Sequence, residues 1–171
     1  PQKLKINKFS SDILNQKWDL IVIAVSSIGI DLIGKNLSKI KNKSPILVLT
    51  KGLKLDGRNL ISMSSLLKKY NKNLNISVLK GPCLAKELAK KVKSFTVVAN
   101  KNINTAKKIG KLISTNYYQT EFSRDVNGVE FLSAIKNIYS MIIGAGQWHN
   151  TSSALFQKSI DEMKYLTTVS Y

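Results

Sequence analysis

Apolar residues fall in short unbroken blocks separated by stretches of helical spacing, and this alternation governs the first two thirds of the chain. Leu20-Ile21-Val22-Ile23-Ala24-Val25 is a continuous, largely β-branched run between Asp19 and Ser26. Such a run suits a strand buried on both faces of a parallel sheet. Residues 32–41 carry a helical pattern, Pro45 introduces a second buried strand at 46–49, and the chain turns at Lys51-Gly52. The same order continues with a helix over 60–70, a strand over 76–79 and a helix opening after Gly81-Pro82, where proline fits a first turn. A strand at 95–99, a helix at 105–113 and a short last strand at 117–120 complete the series. Alternating strands and helices predict a doubly wound α/β sheet, in which ligands bind beyond the carboxyl ends of the strands.

After about Phe122 the period changes. Residues 126–146 keep helical spacing over a length no strand reaches, and 153–166 read as a second helix. The fold class is therefore α/β, the C-terminal part of a doubly wound parallel sheet domain over 1–122, followed by the start of an all-helical domain over 123–171. On the long helix, Glu130, Ser133, Lys136, Asn137, Ser140 and Gly144 form a polar or small stripe. Val129, Leu132, Ile135, Ile138, Ile142 and Ile143 occupy much of the remaining circumference, so the helix is expected to be largely buried.

Charge and composition change this picture little. The 171 residues carry a formal net charge of +17, which invites a nucleic-acid reading. However, Arg58 and Arg124 are the only arginines, and the lysines are spread along nearly the whole chain among asparagines and isoleucines. Specific phosphate and base recognition favours arginine's planar fork, so a solvated surface or a codon bias is preferred and no specific nucleic acid is expected. Cys83 is the only cysteine, which excludes an intramolecular disulfide and points to a reducing, cytoplasmic setting. The longest apolar runs are far too short to span a bilayer. The chain starts at Pro1 and stops at Tyr171 just after a helical pattern, as expected of an internal fragment.

The candidate chemistry rests on lysines in particular surroundings. Lys136 lies on the polar stripe of an otherwise apolar helix, where an ammonium without a partner or a function is costly. It either reaches the surface, pairs with Glu130 or Asp125, or moves a proton. A lysine in a cleft suits the proton that accompanies hydride transfer to or from a secondary alcohol, and a second ammonium nearby would tune it. Lys51 directly follows a predicted strand at the carboxyl end; it is either that second charge or an ordinary turn lysine. Gly52 permits a sharp turn. Gly81-Pro82-Cys83 follows the third strand and is expected to present free backbone N–H groups to an anion. Neither Cys83 nor the lone His149 has the company of a thiol enzyme or of a metal site.

Four ordered segments carry a resemblance. They are Ile23-Ala24-Val25-Ser26-Ser27, Thr50-Lys51-Gly52-Leu53, Gly81-Pro82-Cys83-Leu84-Ala85-Lys86-Glu87, and Asp125-Val126-Asn127-Gly128-Val129-Glu130 leading into Ala134-Ile135-Lys136-Asn137. With weaker similarity through Asn150, Ala154-Leu155 and Glu162-Met163, the chain resembles the bacterial-type NAD(P)-dependent glycerol-3-phosphate dehydrogenase family. The resemblance implies a Rossmann-like sheet, NAD or NADP as cofactor, and reversible reduction of dihydroxyacetone phosphate to sn-glycerol 3-phosphate, which supplies glycerophospholipid synthesis. It implies Lys136 as the catalytic acid/base, and Lys51, Gly81, Cys83, Lys136 and Asn137 as substrate contacts. Lys51, Ala85 and Ser26 would meet the cofactor. A small-molecule substrate is the expected partner, and a homodimer is compatible.

Several positions depart from the family pattern. Cys83 stands for the usual serine or threonine, Ser26 for a proline, Lys80 for a small residue and Lys158 for a common arginine. No Gly-x-Gly-x-x-Gly loop precedes the first strand, so the pyrophosphate-binding turn is expected upstream of Pro1, and a later Arg-Asn phosphate-binding segment beyond Tyr171. These residues alone are expected to turn over little. Dehydrogenases of β-hydroxy acids or of ketopantoate, a diverged homologue without catalysis, and a basic nucleic-acid-binding protein are the competing readings.

Overall fold

The structure, a computed structural model, describes residues 10–40 and 43–169. Five strands form one sheet in the order β1-β2-β5-β6-β7: β1 Ile21–Ile23, β2 Ile46–Val48, β5 Ile76–Lys80, β6 Ser94–Ala99 and β7 Tyr118–Ser123. Strands β1, β2 and β5 are parallel, with Ile21 opposite Ile46 and Ile46 opposite Ile76. The β5 to β6 step is antiparallel, pairing Val78 with Ala99 and Lys80 with Val97, while β6 and β7 run parallel to one another. The sheet is thus mixed rather than wholly parallel: the connection from Lys80 to Ser94 holds only the five-residue α4 (Ala85–Ala89), whose rise of about 7.5 Å does not carry the chain back along the length of a strand.

Helices cover both faces. On one, α2 (Ile30–Leu37), α3 (Met63–Tyr70) and the start of α6 (Val126–Ala145) close over Ile23, Ile46, Val48, Ile76 and Val78. On the other, α5 (Ile103–Ile113) places Ala106 and Ile109 against Leu47 and Val98. Successive side chains of a strand point to opposite faces, so β2 gives Ile46 and Val48 to the first of these cores and Leu47 to the second.

Several expected boundaries move. The run at 20–25 contributes only Ile21–Ile23 to the sheet, and the helix expected to reach Lys41 ends at Leu37; Lys41 lies outside the described residues. The helix expected over 60–70 begins only at Met63, because Leu60 and Ile61 belong to a hairpin of β3 (Leu53–Asp56) and β4 (Asn59–Ser62). Gly57, at φ 63°, turns that hairpin. Ser62 then caps α3, its hydroxyl accepting from the Ser65 N–H at 3.3 Å.

The helix expected directly after Gly81-Pro82 starts only at Ala85, since Leu84 is still extended at φ −96°, ψ 128°. Proline therefore lies outside its first turn. A short α1 (Ser11–Asn15) precedes the sheet, and α7 (His149–Val169) follows α6. His149 opens α7 and is exposed.

Helix α6 is not largely buried. Its buried residues are Gly128, Glu130, Ser133 and Tyr139, so only the first part of the polar stripe, Glu130 and Ser133, turns inward, while Asn137, Ser140 and Gly144 are exposed. Ile138, Ile142 and Met141 stay exposed, Met141 at 77%. Among the described residues no helix is long and apolar enough to cross a membrane.

Candidate functional site

Loops leaving the carboxyl ends of β1, β2 and β5 meet at one edge of the sheet. Thr50 ties the first two together, its hydroxyl donating to the Val25 carbonyl at 2.7 Å. Gly52 adopts φ +125°, a conformation that side chains rarely take. A Cβ built there would lie 3.6 Å from the Ser27 Cβ, which shows how closely the two loops approach. Ser26 and Lys51 stand exposed on this edge.

Gly81 leaves β5 pressed against its neighbour. A Cβ at this position would lie 2.7 Å from the Thr96 Cγ2 and 2.9 Å from the Phe95 carbonyl oxygen, so only glycine fits without displacing β6. Half-buried Cys83 then lies beside Tyr118 of β7. Burial pushes the Tyr118 phenol up; a hydrogen bond with Thr96 acts the other way, and Cys83 adds to the rise. Ala85 is exposed at the first position of α4.

Under this edge lies a buried polar cluster that the sequence reading passed over. Lys80, the last residue of β5, is only 4% exposed, and its ammonium donates to the Thr50 carbonyl. The Glu130 carboxylate of α6 lies 3.9 Å away and is itself 2% exposed. Glu130 also accepts from the Ser64 N–H at 3.3 Å and from the Ser64 hydroxyl. Burial lowers the Lys80 pKa, the Glu130 charge opposes that, and the positive charge of Lys51 lowers it further. The signal was available: Lys80 continues the Ile76, Val78 side of a strand whose residues are buried on both faces.

Helix α6 carries the remaining candidates. Asp125 caps it, accepting from the Gly128 N–H at 2.8 Å. Val126 starts near Ile76 and Asn100, and Glu130 reaches the level of Lys80. At a rise of about 1.5 Å per residue, Lys136 lies about 9 Å beyond Glu130 along the axis, past the carboxyl end of β5. Lys136 is half-buried and Asn137 exposed. The suggested pairing of Lys136 with Glu130 or Asp125 does not form: Glu130 takes Lys80 and Asp125 takes the helix N-terminus. Between Glu130 and Lys136, the buried Ser133 hydroxyl has no hydrogen-bond partner.

The edge therefore brings the Ser26, Lys51 and Gly81 segments together, while Cys83 lies toward β7, beside Tyr118. Among the described residues, no group of His, Cys, Asp and Glu could hold a metal ion. Residues 1–106, more than half of the chain, match the family described as NAD-dependent glycerol-3-phosphate dehydrogenase N-terminus. The chain belongs to this family.

Relatives agree with that membership. A glycerol-3-phosphate dehydrogenase (NAD(P)+) of Leptospira biflexa is 32% identical across 95% of this chain and 50% of its own length. One from Saccharophagus degradans is 33% identical across 85% of this chain and 41% of its own. The chain thus spans about half the length of the curated relatives it matches. Among solved structures, the glycerol-3-phosphate dehydrogenase of Saccharomyces cerevisiae superposes with a TM-score of 0.77 at 20% identity, covering 88% of this chain and 46% of that one. The enzyme from Coxiella burnetii gives 0.75 at 24% identity, covering 88% and 47%. These glycerol-3-phosphate dehydrogenase structures share the α/β fold described above.

Proposed function

We propose that this chain is part of an NAD(P)-dependent glycerol-3-phosphate dehydrogenase that interconverts dihydroxyacetone phosphate and sn-glycerol 3-phosphate, feeding glycerophospholipid synthesis in the cytoplasm. The observation that carries the reading is the match over residues 1–106; the contact of Lys80 with Thr50, which sets the Gly81 and Lys51 segments side by side, supports it. In this reading the α/β part, 1–122, meets the cofactor, and the helical part from 123 brings the proton donor.

The residues present fit the nicotinamide end of such a cofactor. Ser26 and Lys51 are exposed on the carboxyl edge, and Ala85 adds only a methyl group at the start of α4. The chain holds no Gly-x-Gly-x-x-Gly segment, so these residues do not supply the tight pyrophosphate turn. When bound, the nicotinamide supplies or accepts the hydride at C2 of the substrate. Lys136 donates a proton from its Nζ to the C2 oxygen during reduction and takes it back during oxidation. Lys51 places a positive charge at the edge for the anionic substrate, and the Cys83 thiol is a weak donor where a hydroxyl is usual. Asn137, one residue beyond Lys136, orients substrate or the lysine.

The test is a panel of ketones offered to the full-length protein with NADH and with NADPH. Turnover of dihydroxyacetone phosphate well above ketopantoate and β-keto acids supports the reading. Preference for one of the latter assigns the site to a related dehydrogenase.

A further inference from the structure

We propose that Lys80 is a positioning residue of this site: its buried ammonium joins the Thr50 carbonyl to the Glu130 carboxylate, fixing the Lys51 corner against the helix that carries Lys136. The catalytic consequence rests on the function proposed above; the positioning itself does not.

Lys80 lies on the same side of β5 as Ile76 and Val78, in the core formed with α2, α3 and the start of α6. An ammonium there is costly unless paired and hydrogen-bonded. Both of its partners are informative. Thr50 is the residue before Lys51, and its hydroxyl already anchors it to Val25. Glu130 lies on α6, six residues before Lys136, and is held in turn by the N–H and hydroxyl of Ser64 at the start of α3. One ammonium thereby connects β5, the corner after β2 and α6, and α3 through Glu130.

The connection needs a long cationic side chain. The small residue usual at this position in the resembling family would leave Thr50 and Glu130 unbridged. The charged groups that face Lys80 are Glu130 from α6 and Lys51 from the corner. Losing the Lys80 charge would free the corner and the helix to move separately. Misplacement of reacting groups by about 1 Å costs roughly a hundredfold in rate.

The test uses the full-length protein and its Lys80→Met and Lys80→Arg variants, with Lys108→Met on α5 as the control. Amide hydrogen exchange is read at Thr50-Lys51-Gly52, along 128–136 and along α5. In Lys80→Met, exchange should quicken by about tenfold or more in the first two segments and stay unchanged in α5, as a local opening does. Alongside, kcat with dihydroxyacetone phosphate should fall about tenfold to a hundredfold with little change in the KM for NADH, and Lys80→Arg should recover most of it. If Lys80→Met does not fold, Glu130→Gln, which keeps an acceptor for Ser64, should loosen the same two segments. Wild-type exchange in both segments, a uniform increase that includes α5, or loosened segments with an unaltered kcat would each overturn the proposal. A wild-type protein inactive on dihydroxyacetone phosphate would refute the proposed reaction alone, and exchange would still decide the positioning.

Discussion

Replacing Glu130 removes the counter-charge of an ammonium that is 4% exposed and cannot reach water without opening the sheet–helix interface. Breaking one side of a buried pair costs about 3–5 kcal/mol, and Glu130→Leu belongs in that range because it also strands the Ser64 N–H and hydroxyl. Lys80→Met leaves a carboxylate that still accepts two hydrogen bonds, so its loss should sit near 3 kcal/mol. Removing both charges takes away the penalty each single change creates. What remains is the unbonded Ser64, at about 1–3 kcal/mol. The double variant should therefore be no less stable than either single one. Urea unfolding of the full-length protein, followed by circular dichroism, reads the difference. With a slope of about 2 kcal/mol per molar, Glu130→Leu should move the midpoint down by about 2 M and the double variant by about 1 M. Losses that add would show that the two groups do not interact and would refute the buried pair.

Three further outcomes follow from the geometry. A Cβ at Gly128 would lie 2.1 Å from the Asp125 Oδ2, so Gly128→Ala should displace the cap and cost about 0.5–2 kcal/mol; combining it with Asp125→Ala in thermal unfolding should add almost nothing. Asp31 is held below its usual value by hydrogen bonds from Lys54 and then Tyr70, while Lys54 is raised by Asp31. The depressed Asp31 stabilises above pH 3.8 and loses that contribution as pH falls through its folded value, whereas the raised Lys54 stabilises below pH 10.5 and loses it as pH rises through its own. Asp31→Asn should flatten both limbs of Tm against pH. The buried, unpartnered Ser133 hydroxyl should cost stability, so Ser133→Ala should leave the melting temperature unchanged or raise it.

Most of the strands and helices were legible because their signals are local. The block at 46–49 is bounded by Pro45 and by Lys51-Gly52, the helix at 103–113 keeps a clear 3.6-residue period, and the helical segment at 126–145 is longer than any strand. The hairpin at 53–62 was hidden by Leu60 and Ile61, which suit a helix or a strand equally, although Asp56-Gly57 marks a hairpin turn. The antiparallel β6 was invisible because strand direction depends on how far the connection travels. At the site, Lys51, Gly81 and Cys83 were legible as strand-end residues. Lys80 was not, since a lysine in a lysine-rich chain carries no sign of being buried until a carboxylate fifty residues away is placed beside it.

The exposure of α6 was the least legible property. Its apolar residues promised burial, yet the side turned inward carries Glu130 and Ser133. What a helix buries is decided by what the rest of the chain supplies. Here Glu130 faces the buried ammonium of Lys80 on β5, and Met141 and Ile138 are exposed in a chain that spans about half the length of its relatives.

The most direct measurement of the central claim compares the full-length protein with its Lys136→Ala variant in NADH and NADPH oxidation driven by dihydroxyacetone phosphate. The account predicts turnover by the wild type and a loss of about 10²–10⁴-fold in the variant, with an unchanged circular dichroism spectrum and unchanged cofactor binding. A folded Lys136→Ala variant that turns over at the wild-type rate would contradict the role assigned to Lys136, and a folded, cofactor-binding wild type that leaves dihydroxyacetone phosphate unreduced would contradict the reaction itself.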